Sequence, residues 1–574
     1  MMKLIKLVIA FAVIVSVSAC QSVPIHEYAT AVFKNGTIFT VNENNEFAES
    51  MAIHEQKVVF VGKLTAVKNF IGPNTKVVNL AGGMILPGLV DAHLHPVRGE
   101  IKELYHCNFP FTSTPQDIQN AVSQCVGQQS DSDWVIGGQW DSGWFKRFNI
   151  DSPRELLDQV SGDKAVVLQD DSLHNVWVNS RALELAGIDK HTVNPEGGTI
   201  VRASNGEPNG ILMETAAKAM GKAQPPYNPL QQQTAVRKFV RDANAYGLTG
   251  AKSASTYPEE LAALQAIDLA GELSLHLATS MRTTDGQRSQ PLNYDEIEAA
   301  RDLYRGPNMD TRFVKLFLDG VPTPARTAAM LAPYMPDHQH APGFDGGELL
   351  VDPDVLAQDI IELDKRGFTV KMHAAGDRSV RIGLDAIEAA RQANGNSGLR
   401  HELAHAGYIS EQDIPRFKEL NAVADLSPIL WYPSPIIDAI YSAVGKDRGQ
   451  FYFPVRDLID AGANLLAGSD WPAVSVNANP WVGIESLVTR QHPHGKVPGE
   501  FWPEQAISLQ EAIRIYSIAG ARALRKENIT GSLEVGKSAD FIVLKDNLLE
   551  IPVEQISEIL PEQTWFKGKL VYNR

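Results

Sequence analysis

Residues 87–97 read PGLVDAHLHPV. Two histidines, His93 and His95, stand one residue apart behind an apolar run. Side chains two apart on a β-strand share a face. The pair should therefore project side by side from a strand end, and two imidazoles held that way form half of a metal site. The same pair also reads as surface or cap histidines. Its partners must come from elsewhere, so the fold turns on which other strands end in ligand-type side chains.

Working outward, the first strand is expected over 84–93, and seven more strand-like runs follow it. They are LTGAKSA (248–254), LSLHLATSM (273–281), RFVKLFLDG (312–320), FTVKMHA (368–374), LRHELAHA (399–406), NAVADLS (421–427) and ANLLAGSD (463–470). Helical stretches lie between most of them, such as 352–367 with its Asp352 start and Gly367 stop. Eight strands alternating with helices predict an α/β protein built on a (β/α)8 TIM barrel. The gap between the first two strands is far longer than an ordinary βα connection. An insertion of roughly 97–230 is expected there, over the barrel mouth. Short strands with turn signals recur at both ends, in 31–40, 50–63, 75–88, 531–545 and 564–574. They predict a small β-sandwich made by both termini, 28–86 and 526–574, flanking a barrel domain over 87–525.

Alternation along each strand separates its inward residues from its outward ones. In RFVKLFLDG, Val314, Leu316 and Leu318 should face the helices, leaving Lys315 to point into the barrel. In FTVKMHA, Lys371 and His373 face inward. In the next strand His401, Leu403 and His405 are assigned one face, with His405 nearest the C-terminal end. The last strand closes on Asp470. His93, His95, Lys315, His373, His405 and Asp470 are thus presented to one place.

Imidazole and carboxylate groups suit zinc and related divalent ions, one or two in number. Such ions would activate water as hydroxide and polarise a scissile carbonyl, with Asp470 moving the proton. A lysine amine is a poor ligand unless CO2 converts it to a carbamate, which would bridge two ions. Lys371 is a rival for that bridge, but it lies two residues deeper than His373, so Lys315 is preferred. His401 lies lower than His405 and is read as structural.

The set DAHLHP, VKLFLDG, HAAGD, ELAHA and GSDWP resembles the amidohydrolase superfamily. More narrowly it resembles amidohydrolase family 3, the group containing YtcJ-like proteins and N-substituted formamide deformylase. WVIGGQWD, LHNVWVNSRALELAGI, GEPNGILMET, NPWVGIESLVTR and GSLEVGKSADFIVL extend the likeness over nearly the whole chain. The resemblance implies a metal-dependent hydrolase of a non-peptide C–N bond. His93, His95, His373 and His405 would be ligands, and Lys315 and Asp470 would fall on the lysine of strand four and the aspartate of strand eight. Ala404 departs from the pattern, which carries Glu before the strand-six histidine. The second strand also lacks the usual terminal His or Asp. A deaminase or lactonase using the same site is the alternative, as is an inactive lipoprotein that binds a metal or small molecule.

Within the insertion, Asp171, His174, Asn179, Trp140 and Trp144 are candidates to line a small-molecule pocket, as are Trp431 and Tyr432 after the seventh strand. A structural role is the competing reading for each. The His pairs in PDHQH (336–340) and RQHPHG (490–495) read as loop residues.

The net charge of −16 argues against nucleic acid as a partner. MMKLIKLVIAFAVIVSVSAC has the layout of a signal peptide over 1–19, and VSAC resembles a bacterial lipobox with Cys20 as the lipidated residue. An exported lipoprotein held to a membrane by that anchor is expected; Gln21 after the cysteine points to the outer membrane. Homo-oligomerisation is open. Cys107 and Cys125 remain as one candidate disulfide.

Overall fold

All eight expected barrel strands form, and they neighbour one another in chain order. In the computed structural model, which describes residues 28–574 apart from 111–112, 129–131, 141–143, 171–174, 196–197, 284–285, 324–325, 337–346 and 474, they are β1 (Leu89–Leu94), β2 (Leu248–Thr256), β3 (His276–Arg282), β4 (Met309–Phe317), β5 (Thr369–Ala374), β6 (Glu402–His405), β7 (Val423–Leu426) and β8 (Asn464–Ala467). Every adjacent pair is parallel. Just beyond β8 the chain returns to β1. The Asp470 amide donates to the His93 carbonyl at 2.7 Å and the His95 amide to the Trp471 carbonyl at 2.8 Å. Gly468 permits this approach, since a Cβ there would lie 2.3 Å from the His93 nitrogen.

The stretch 84–93 is two strands, not the single strand expected. Met84–Pro87 pairs with Phe541–Leu544 of the terminal domain, and β1 starts only at Leu89. The break falls at Gly88, where a Cβ would meet the Thr249 hydroxyl at 2.0 Å. The terminal domain is one hydrogen-bonded sheet of strands from both chain ends. It forks along Ala31–Phe39, whose first half pairs with Lys76–Asn79 and whose second half pairs with Met84–Pro87. Between its layers Phe541 stacks on Trp565 at 5.4 Å, and Phe33 meets both rings edge-on.

Helix Pro96–Tyr105 follows β1 as part of the barrel wall and packs on Pro229–Ala245. Between those helices lies the inserted unit, a six-stranded sheet with one apolar cluster around Trp134, Val167 and Leu212 and another around Trp144, Leu168 and Trp177. Cys107 and Cys125 are joined there as a disulfide. The floor of the barrel is plugged by Leu524, against Val90, Ala278 and Phe313, and by Ala523, against Ala92, Val423 and Leu466. Among the described residues no helix is long and apolar enough to cross a membrane.

Candidate metal centre

Strand periodicity places most of the site. On β4 and β5, Val314, Leu316, Val370 and Met372 join the core under the helices, while Lys315 and Lys371 are buried inside the barrel. On β6 the expected parity fails. Leu403 packs outward, and Glu402 is the residue that points in, reaching Lys252 and Lys371. His405 arrives at the site because its backbone turns left-handed, with φ +72°; Asp470 does the same with φ +52°. Such backbone is costly for residues with a Cβ and persists only when the surroundings hold it. The Asp470–His93 backbone bond, and the Ala406 amide donating to the Ala374 carbonyl at 3.1 Å, do the holding.

Asp470 lies at the centre of the cluster. One carboxylate oxygen is 3.3 Å from His95 Nε2 and 3.4 Å from His93 Nε2, and the other is 3.8 Å from His405 Nδ1. The His405 ring lies 4.5 Å from that of His373 and 4.8 Å from that of His93. Two ligand atoms at zinc distance in a tetrahedral site stand roughly 3.3 Å apart, so the nitrogen–oxygen separations around Asp470 suit a shared ion, with His93, His405 and Asp470 closest together. His93 Nε2 is also buried with no hydrogen-bond partner among the described residues. A lone pair in that position is costly unless something accepts it. The residues present therefore fit a divalent cation.

Groups behind the imidazoles fix their tautomers. His93 Nδ1 donates to Asp425 Oδ2 at 2.7 Å, and His373 Nδ1 donates to Asp319 Oδ1 at 3.0 Å. Each ring then offers Nε2 to the site. Asp319 is itself locked by the amides of Ala329, Ala375 and Gly376 and by the Ser379 hydroxyl. His95 differs. Its Nδ1 accepts from the Arg98 guanidinium at 3.0 Å, so the neutral ring carries its proton on Nε2, toward Asp470. His95 can act as a ligand only if Arg98 releases Nδ1.

Burial, with Lys371 beside it, holds His93 well below the ordinary imidazole pKa. Burial and the neighbouring His373 do the same to His405. Burial and Arg98 lower His95 to about 4. All three rings are neutral at pH 7, the form that binds a metal. Burial pushes Asp470 up, but His93, His95 and Lys315 outweigh it and keep the carboxyl ionised.

The two inward lysines are distinct. Lys371 is fully buried and sits between the carboxylates of Asp425 and Glu402, the latter at 2.9 Å. Lys315 makes no ion pair among the described residues and lies 5.2 Å over the Phe317 ring. Burial and the charge of Lys371 bring its pKa down to about 7.

Other candidates are placed elsewhere. Cys20, Asp171, His174, His338 and His340 lie outside the described residues. Trp431 is not brought to the site. It is fully buried, with its indole N–H directed to the Ser486 carbonyl at 3.3 Å and Phe453 against its ring. Trp140 and Trp144 are buried inside the inserted unit, donating to the Leu168 and Ser113 carbonyls, and Asn179 caps a helix there. Tyr432 packs against His492 at 4.9 Å, and His494 faces Ser557 at 3.4 Å. His401 is structural, bonded to Asp364 and to the Val370 amide. Asp319 and Asp425 were not singled out from sequence. Both lie on or just past strands already identified, and a search for carboxylates behind each histidine would have found them.

A profile of the amidohydrolase family matches residues 76–572. The chain belongs to that family. The N-substituted formamide deformylase of Arthrobacter pascens is 27% identical to it over 557 residues, covering 94% of this chain and 98% of that protein. Among solved structures, a metal-dependent hydrolase from Pyrococcus horikoshii OT3 is similar with a TM-score of 0.72 and 21% identity, over 91% of this chain and 99% of that one. The atrazine chlorohydrolase TrzN from Arthrobacter aurescens TC1, complexed with zinc, has a TM-score of 0.52 and 13% identity, over 95% of each chain. As an amidohydrolase, the chain carries its candidate ligands at the C-terminal rim of the barrel, where barrel enzymes work.

Proposed function

We propose that the protein hydrolyses an amide-type, non-peptide C–N bond in a small molecule, using one or two divalent ions held by His93, His373, His405 and Asp470. Lys315 completes the set, and His95 joins once Arg98 moves. The observation that carries this is the convergence of neutral imidazoles on one ionised carboxylate, with His93 Nε2 buried and unpartnered. The formamide deformylase relative supports the bond type, and the zinc in the chlorohydrolase structure supports the metal. Bound ions supply Lewis acidity to the scissile carbonyl and lower the pKa of water. The protein does the rest. Asp425 and Asp319 orient the His93 and His373 rings, and Asp470 accepts the proton of the attacking water and returns it to the leaving nitrogen.

Lys315 is proposed to be carboxylated. Its neutral amine adds through the nitrogen lone pair to the carbon of CO2, the proton leaves to solvent, and the carbamate carries one negative charge. The lowered pKa keeps neutral amine present at pH 7. Export with a lipid on Cys20 is proposed from the N-terminal sequence. The Cys107–Cys125 disulfide is in keeping with an oxidising compartment.

The test is metal analysis of the purified full chain joined to a screen of formamides, N-acyl amino acids, dipeptides, aminopurines and lactones. Chelator-sensitive release of an amine from a formamide or N-acyl compound is expected. Turnover of lactones or aminopurines alone, or of nothing in metal-replete protein, would overturn the reading.

A further inference from the structure

The opposite end of the barrel carries a second recess. It has a volume of about 230 Å³, and its lining includes Thr369, Ser397, Arg400, Arg522, Arg525 and Glu527. Thr369 opens β5 and shares the inward face with Lys371 and His373, so the recess lies beneath the floor plug at the N-terminal ends of the strands.

Two independent features mark it as a binding site. The first is charge. Three guanidinium groups line the recess with one carboxylate, and that carboxylate, Glu527, is taken by Arg400 at 2.8 Å. Arg525 donates only to the Gly367 carbonyl, at 2.9 Å, and Arg522 has no carboxylate partner among the described residues. Arg312 is also nearby, but its charge is taken by Asp310. This concentration of positive charge stands in a chain of net charge −16. The second feature is the Thr369 hydroxyl. Thr369 is 97% buried, and its Oγ1 has no hydrogen-bond partner among the described residues. A buried hydroxyl is costly to leave unpaired, and this one stands in the wall of the recess.

We propose that this recess binds a small phosphate-type oxyanion, free or carried on a compact phosphomonoester. Guanidinium forks match tetrahedral oxyanions in geometry and charge. The Thr369 hydroxyl supplies a further donor to an oxygen at the floor of the recess. The volume admits a phosphate with a few attached atoms and excludes a nucleotide. The site is separate from the metal centre, so its occupancy does not depend on the hydrolytic reading.

The experiment is titration calorimetry of the metal-loaded full chain with inorganic phosphate and, in a second arm, glycerol 3-phosphate. It is run on wild type, Arg522→Ala and Thr369→Val. Arg522 is exposed, and Thr369→Val removes a hydroxyl with no hydrogen-bond partner among the described residues, so both variants should fold. Wild type should bind at least one of the two probes at a site that Arg522→Ala weakens tenfold or more and Thr369→Val threefold or more. Hydrolysis without phosphate should be unchanged in both. The tighter of the two probes tells free phosphate from an ester. Phosphate heat that both variants retain in full belongs to the metal centre and overturns the proposal, as does the absence of binding in both arms.

Discussion

The rim of the barrel and the layer just beneath it are built from the same residue types and behave oppositely. Beneath the rim the lysines are matched. Lys252 pairs with Glu402, Lys371 with Glu402 and Asp425, and Asp425 with His93. At the rim the bookkeeping is left open: among the described residues Lys315 is unpaired and His93 Nε2 has no hydrogen-bond partner, and three imidazoles crowd one carboxylate. Lys315 and Lys371 sit side by side in the β4–β5 register, yet among the described residues Lys371 has two carboxylates and Lys315 has none. A closed network is a structural device. An open one at the active rim of a barrel is prepared for something the polypeptide does not contain.

The sharpest way to break the contrast is Asp470→Asn, which keeps the shape of the rim and removes its only central carboxylate. A fall in kcat of roughly 10²–10⁴-fold is expected from loss of the proton carrier, read by steady-state assay on the substrate found in the screen. The next is to exchange the two lysines for methionine in turn. Lys371→Met leaves buried carboxylates uncompensated and should cost on the order of 3–5 kcal/mol in denaturant unfolding of the metal-free protein. Lys315→Met removes an unpaired buried amine and should leave metal-free stability unchanged or raised, while activity is lost. Equal destabilisation by both would erase the distinction between the layers.

The smallest effect concerns acid. His401 Nδ1 accepts from the Val370 amide, so the folded state holds the ring neutral; burial lowers its pKa, against the pull of Asp364. A histidine whose folded pKa lies below its unfolded value of ~6.5 gives stability that is full above that pH and is lost as pH falls through the folded value. Urea unfolding of the metal-free protein should therefore show stability falling below about pH 6.5, by up to ~1.4 kcal/mol per pH unit from this residue. The slope should flatten in His401→Gln. Asp364 is held below the carboxylate range despite its burial, chiefly by His401 and Ser397, so its own contribution is lost only in stronger acid.

Strand alternation made most of this legible. Val314, Leu316 and Lys315, and likewise Val370, Met372, Lys371 and His373, face where period two puts them. It failed on β6, because His405 is placed by a positive φ that no periodicity encodes, and the parity of Glu402 was inverted as a result. It also failed at Gly88, where one apolar run serves two domains. Asp319 and Asp425 escaped notice because their part depends on what lies behind a histidine across strands far apart in the chain. Trp431 looked like a pocket residue from its place after β7, but an aromatic there can equally turn into the core, and this one does.

The central claim is that the rim is one metal centre assembled from distant strands. Its direct test is the metal-to-protein ratio, by elemental analysis, of the wild-type chain and of His93→Ala and His373→Ala purified side by side. The account predicts one or two divalent ions per wild-type chain and a marked loss in each variant, although the two residues lie on β1 and β5. Full occupancy in both variants would contradict it.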